Sequence, residues 1–211
     1  MLVQILIDNP FSWIIPYANS LSLEINSKMN YTAVVIHSHE EVIEGNILCL
    51  LSCEKIFKNL HLNKHNLVVH ESDLPKGKGW SPVTWQILEN STKIPVSLFE
   101  AAVNVDSGPI YFKDYICLDG SELLPEIRAM QGKVTNKLVM KFLDNYPNVE
   151  GLQQSGEETF YEKRTERNSE VDINRSIKEV FNLLRVCDNK RYPAFFVLND
   201  VKYVLKIEKS L

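Results

Sequence analysis

The sequence predicts an open, mostly parallel α/β sheet. Short, near-continuous apolar runs recur through its first half, with helical patterns between them. Strands that are apolar on both faces are the mark of a parallel sheet covered by helices on both sides. At 211 residues and 45% hydrophobic, the chain can bury one sizeable core, as a single domain or a domain with a small appendage.

Residues 2–8 are apolar and β-branched and form the first strand. After the Asn9-Pro10 turn, residues 11–25 carry a helical pattern. Residues 31–37 and 46–52 read as short buried strands, 54–60 as a short helix, and 66–70 as the next strand. Residues 80–89 begin a helix in which Pro82 is tolerated in the first turn. Residues 94–101 and 109–117 alternate more, as strands of a mixed or antiparallel part do. Residues 121–145 are helical, with Ser121 as the N-cap candidate. Residues 147–170 are polar and weakly patterned and read as loop. Ile173, Ile177, Phe181 and Leu184 recur at the spacing of one amphipathic helix face. Residues 195–198 and 202–207 form a hairpin across Asn199-Asp200. The architecture is therefore a Rossmann-like open sheet over 1–120, followed by a helical segment and a short β-hairpin appendage over 121–211. The apolar positions of the last helix and hairpin offer a homodimer face or a cover for the sheet.

Charge and composition remove several function classes. The net charge of −4 and the isoelectric point near 5.8 argue against a general nucleic-acid binder. No run approaches the roughly 18 apolar residues of a membrane span. The N-terminus lacks a basic n-region and a small-residue cleavage site, so a cytoplasmic protein is expected. Cys49, Cys53, Cys117 and Cys187 sit mostly in apolar segments and read as reduced thiols. His37 and His39 have no third ligand at suitable spacing, and no metal is expected.

Ligands of open α/β sheets bind beyond the C-terminal ends of the strands. Three stretches follow predicted strands there: Asp8–Trp13, Leu51–Glu54 and His70–Trp80. His70 ends a strand and is followed by Ser72, Lys76, Gly77, Lys78 and Gly79, an exposed donor-rich turn. Its imidazole is either a core group satisfied by a carbonyl or a proton-handling group. The turn is not a dinucleotide fingerprint, because Pro82 stands where a third glycine is needed, and no Gly-Lys-Ser/Thr of a Walker loop occurs. Asp106, in Val105-Asp106-Ser107-Gly108-Pro109, is either a turn residue capping its own backbone or the partner that orients a histidine.

His70-Glu71-Ser72-Asp73-Leu74-Pro75-Lys76-Gly77-Lys78-Gly79, followed by Asp106-Ser107-Gly108, resembles the signature of the folate-dependent formyltransferases. The resemblance covers about residues 1–120. Val171-Asp172-Ile173 and Tyr192-Pro193-Ala194 look like the segment that follows the formyltransferase core. Trp80 after Gly79, the start at Asn9-Pro10-Phe11-Ser12-Trp13 and the short C-terminus look most like the small nucleotide-sugar N-formyltransferases of pseudaminic and other nonulosonic acid pathways. On that likeness the barrel of a tRNA formyltransferase is not expected.

The resemblance implies N10-formyltetrahydrofolate as cosubstrate and the amine of a 4-amino-4,6-dideoxy nucleotide sugar as acceptor. A non-catalytic domain on this fold, or formylation of another small amine, are the alternatives. It implies His70 as the base and Asp106 as the group that fixes the ring. The family's asparagine, two residues before the histidine, is absent: Val68 stands there. Asn66 is on the same strand face but roughly 13 Å away. Ser72, a backbone N–H or another side chain is expected to replace the missing donor. The pterin is expected against Leu51, Ser52, Cys53 and Glu54, with Ile56 behind and Val103, Asn104 and Val105 opposite. The acceptor is expected at Asn9, Ser12 and Trp13, with Lys76, Gly77, Lys78 and Trp80 across from it. Cys53 has no histidine to activate it and is read as a small buried residue.

Overall fold

The computed structural model describes residues 1–28 and 30–210. In chain order the elements are β1 (Leu2–Leu6), α1 (Ile15–Lys28), β2 (Thr32–Ile36), β3 (Gly45–Leu50), β4 (Asn63–His70), β5 (Lys78–Gly79), α2 (Pro82–Leu88), β6 (Lys93–Glu100), β7 (Ile110–Cys117), α3 (Leu124–Asn145), β8 (Phe160–Tyr161), α4 (Ile177–Val186), β9 (Ala194–Leu198) and β10 (Val201–Leu205). Six strands form one sheet in the order β2-β1-β3-β4-β6-β7. The first four are parallel, and β6 and β7 add in antiparallel sense. The Rossmann-like half and the alternating, antiparallel strands both match the sequence expectation.

The apolar runs are continuous because each strand feeds two clusters. Val3, Ile5, Ile7, Ile47, Cys49 and Leu67 point into a large core with α1, α2 and α3. Leu6, Leu48, Leu50 and Val68 alternate with them and enter a smaller cluster around Phe57. The expectation that helices cover both faces is corrected here. Among the described residues, no residue of α1–α4 enters the smaller cluster, and that face is closed instead by the loop that carries Cys53, Phe57, Leu60 and Leu62.

Residues 54–60 do not form the expected helix. The Asp8 carboxylate takes the N–H groups of Glu54 and Lys55, both at 2.8 Å, and only a 3₁₀ turn at Leu60–Leu62 follows. A segment whose amides are satisfied by a side chain has less need of helical bonds. Ser121 does not cap α3 either. Its N–H goes to Asp119, and Leu123 is the N-cap, with its N–H held by Glu126 Oε2 at 2.8 Å. Helix α3 belongs to the main core: Leu138, Val139, Phe142 and Leu143 are fully buried there. The segment after residue 120 is thus not a separate packing unit at its start.

Only α4 and the β9–β10 hairpin build their own small cluster, through Val171, Val180, Leu184, Cys187 and Ala194. The helix face expected from Ile173, Ile177, Phe181 and Leu184 is rotated. Ile173 precedes the N-cap Ser176 and so lies outside the helix, while Ile177 in the first turn is 67% exposed. The hairpin turns across Asn199 and Asp200, both with positive φ, as expected.

The topology fixes where chemistry can sit. Registers of Leu6 with Ile36 and Leu50, and of Leu50 with Val68, bring the ends of β1, β3 and β4 to one rim. Strand β6 runs the other way. Ala101 at its end bonds to Asn66, so the following loop must run back along β4 to reach the rim.

Candidate functional site

His70 is 7% exposed, the last residue of β4, on the face of the sheet that the loop covers. Its Nε2 lies 2.8 Å from the Gly77 carbonyl. A carbonyl only accepts, so Nε2 carries the proton, and in the neutral ring Nδ1 keeps the lone pair. Asp106 returns along β4 to the same nitrogen, its Oδ2 at 3.9 Å. That is beyond hydrogen-bond length, so the two side chains face each other without a direct bond. The ring is thus satisfied by a carbonyl, as the first reading of this histidine expected, and it also faces a carboxylate.

The Asp106 loop is held by tight geometry. Asp106 itself has φ +52°, a left-handed conformation that Asp and Asn tolerate better than other non-glycine residues. Its Oδ2 accepts the Gly79 N–H at 3.0 Å. Gly108 lets the loop leave β6, since a Cβ there would fall 1.7 Å from the Glu100 carbonyl oxygen.

Ser72 sits under Gly77, 2% exposed, with its Oγ lacking a partner, and its carbonyl accepts from Ser97. Burial at that level keeps it from an incoming ligand. Asn66 is spent elsewhere: its Nδ2 holds the Leu60 carbonyl at 2.8 Å. Val68 presents no donor. Neither of these two candidates fills the place of the missing asparagine.

Among the residues expected around cosubstrate and acceptor, the stretches that follow β1 and β3 touch each other. Asn9 Nδ2 donates to Glu54 Oε1 at 2.6 Å, and Ser12 Oγ lies 3.4 Å from Ser52 Oγ. Leu51 is buried, Ser52 adopts positive φ, and the Cys53 thiol donates to the Leu6 carbonyl. Burial pushes the Cys53 thiol up to about 12, in keeping with an inert side chain. Ile56, Val103 and Val105 are exposed, as is Phe11, and Asn104 is exposed beside them. Trp13 packs against the main core and meets Tyr17 edge to face.

The basic turn divides. Lys76 is exposed, but Lys78 is not a free anion ligand as expected: it is 3% exposed and paired with Glu158 at 2.6 Å. The residue that draws it inward lies 80 positions away in sequence. Trp80 is 41% exposed, with the Lys163 ammonium 4.6 Å above its ring.

Three contributors had no role assigned to them from the sequence. Asp8 ties the rim by binding two amides of the Glu54 loop and lying 3.3 Å from His39 Nε2. An aspartate directly after the first strand was the available signal. Glu71, beside His70, accepts from Gln131 of α3 at 3.2 Å, and burial raises its carboxyl above the usual range. Gln154 donates to the Asp106 and Gly108 carbonyls.

This geometry defines a histidine–aspartate centre at the rim of an α/β sheet, and comparison with known proteins gives its class. No protein-family model matches the sequence. A methionyl-tRNA formyltransferase from Thermosipho melanesiensis is 28% identical over 150 residues, covering 70% of this chain and 49% of the relative. The chain thus spans about half the length of the curated relatives it matches. The solved methionyl-tRNA formyltransferase of Clostridium thermocellum superposes with TM-score 0.81 at 22% identity, over 100% of this chain and 94% of that one. A sugar N-formyltransferase from a Shewanella species gives TM-score 0.71 at 14% identity, over 100% and 98%. HypX from Aquifex aeolicus, in complex with tetrahydrofolic acid, gives 0.74 at 13% identity, over 97% of this chain and 37% of that one. The fold is that of the formyltransferases. In sequence and fold the chain resembles the folate-dependent members of that class, as its two motifs implied.

Proposed function

We propose that this chain transfers the formyl group of N10-formyltetrahydrofolate to an amine, with His70 Nδ1 taking the amine proton. The observation that carries the reading is the His70–Asp106 approach at 3.9 Å, made by two loops far apart in sequence. The exposed apolar rim of Phe11, Ile56, Val103 and Val105 suits the flat ring of a folate. The cosubstrate supplies an electrophilic formyl carbon. Everything else falls to the chain. Gly77 O orients the ring, Nδ1 removes the proton as the amine attacks, Asp106 stabilises the imidazolium, and the same proton would pass to the departing N10 nitrogen as the formyl–N10 bond breaks. Backbone groups of Leu51–Glu54 and Val103–Val105 frame the cosubstrate.

The acceptor we favour is a 4-amino-4,6-dideoxy nucleotide sugar. Exposed Lys76 suits its phosphates and half-exposed Trp80 suits stacking on a base or sugar, while Asn9, Ser12 and Trp13 follow β1. The net charge of −4 argues against an RNA acceptor. The likeness to methionyl-tRNA formyltransferases favours a second reading, with an aminoacyl-tRNA as acceptor. Incubation with N10-formyltetrahydrofolate and each acceptor, with product mass as readout, separates the two. A formylated sugar nucleotide supports the first reading. Product with aminoacyl-tRNA alone supports the second. Folate binding with no product from any amine supports a non-catalytic domain, the reading that Val68 keeps open.

A further inference from the structure

One polar segment touches both halves of the His70–Asp106 centre. Residues 152–161 have little apolar pattern, yet they are laced to the site at both ends. At the Asp106 end, Gln154 Nε2 donates to the carbonyls of Asp106 at 3.0 Å and of Gly108 at 2.8 Å. Leu152 and Ile110 exchange backbone hydrogen bonds, each 2.8 Å. At the His70 end, Thr159 Oγ1 accepts the Gly77 N–H at 2.8 Å and the Thr159 carbonyl accepts that of Lys78 at 2.9 Å. The Tyr161 carbonyl accepts the Trp80 N–H at 3.1 Å, and Glu158 takes the Lys78 ammonium. Gly77 is the residue whose carbonyl holds the His70 ring.

Apolar packing does little to fix the Asp106 loop, whose own bonds are the Gly79 N–H on the carboxylate and Ser107 Oγ on the Asn104 carbonyl. Its apolar side chains, Val103 and Val105, are 94% and 52% exposed and so contribute little packing. Gln154 Oε1 is buried without a partner, so that amide is held in place by its two donated bonds.

We propose that residues 152–161 are a strap that sets the separation of His70 and Asp106, and that Gln154 is the positioning residue for Asp106. Thr159 does the same for His70 through Gly77. The strap rests on the formyl-transfer reading only where a rate is measured; the geometry it sets is independent of the reaction.

The test compares ring resonances of His70 by NMR in the full chain, assigned by their loss in His70→Asn. Asp106→Asn supplies the shift that marks loss of the carboxylate. Gln154→Met keeps the length of the side chain and removes its donors. It is expected to move the His70 resonance in the direction that Asp106→Asn does. In the transfer assay kcat is expected to fall about 10- to 100-fold, with KM little changed. Thr159→Val, of nearly the same shape, is expected to shift the same resonance. A folded Gln154→Met chain with an unmoved His70 resonance overturns the role of Gln154. Should that variant not fold, an unmoved resonance in Thr159→Val overturns the strap. If the wild-type chain transfers no formyl group, the reaction assignment fails and the resonances still decide the strap.

Discussion

The backbone N–H of Gly79 donates to Asp106 Oδ2 at 3.0 Å, joining the turn after His70 to the loop after β6. The bond brings a negative charge to the His70 ring without a direct hydrogen bond between the two side chains, whose nearest atoms are 3.9 Å apart. In the proposed mechanism ring orientation falls to the Gly77 carbonyl and stabilisation of the imidazolium to Asp106.

Asp106→Asn separates these two roles. Asn tolerates φ +52° and its Oδ1 still accepts from Gly79, so the loop is preserved while the charge is lost. The transfer rate is expected to fall on the order of 10²- to 10⁴-fold with the melting temperature nearly unchanged. Steady-state kinetics beside thermal unfolding checks this, and a wild-type rate would remove Asp106 from the mechanism.

Gly108→Ala addresses the loop's departure from β6. A methyl group 1.7 Å from the Glu100 carbonyl oxygen cannot be accommodated without moving backbone. The variant is expected to lose about 2 kcal/mol or more, a fall in melting temperature of about 4 °C or more for a chain of this size. Calorimetry reads it directly, and an unchanged transition would mean that the loop leaves the strand differently.

Val68→Asn restores an amide where the family resemblance implies one. Ser72 and Asn66 are committed to buried positions, so the oxyanion lacks a side-chain donor from either of them. An oxyanion-hole donor contributes about 10²- to 10³-fold elsewhere. The variant is therefore expected to raise kcat, at a cost in stability of about 1–3 kcal/mol from the polar group beside the Phe57 cluster. A rate no higher than wild type would indicate a donor already in place.

Glu71→Gln tests the buried carboxyl beside the site. Burial raises its folded-state pKa above the unfolded value, so the folded chain holds its proton more tightly. Stability then falls as pH rises between those two values. The amide keeps an oxygen for Gln131 and carries no charge to bury. Glu71→Gln is expected to be more stable than wild type at neutral pH, with the difference vanishing once the pH drops below the unfolded carboxylate range. Denaturant titrations at several pH values measure it. A constant difference across pH would place its origin elsewhere.

Much of the fold could be read from the chain because its strands are apolar on both faces and its turn chemistry is local: Asn199-Asp200 is an example. His70 and Asp106 were legible because each sits in a short motif. What sequence did not give depends on partners far along the chain. Lys78 looks like a solvated turn residue until Glu158, 80 positions on, pairs with it. Gln154 and Thr159 act mostly on backbone atoms, which leave no mark on the identity of the residues they hold. Segment 54–60 carried a helical pattern, but Asp8 captured its amides. Ile173 and Ile177 had the right spacing and lie outside or at the edge of α4.

The central claim is that His70 takes the amine proton in formyl transfer. The most direct measurement follows formylated product from N10-formyltetrahydrofolate and a 4-amino-4,6-dideoxy nucleotide sugar, for the wild-type chain and for His70→Asn side by side. Product from the wild type and none from a folded His70→Asn chain is the expected result. Equal product from both chains, or folate bound with no product from either, would contradict it.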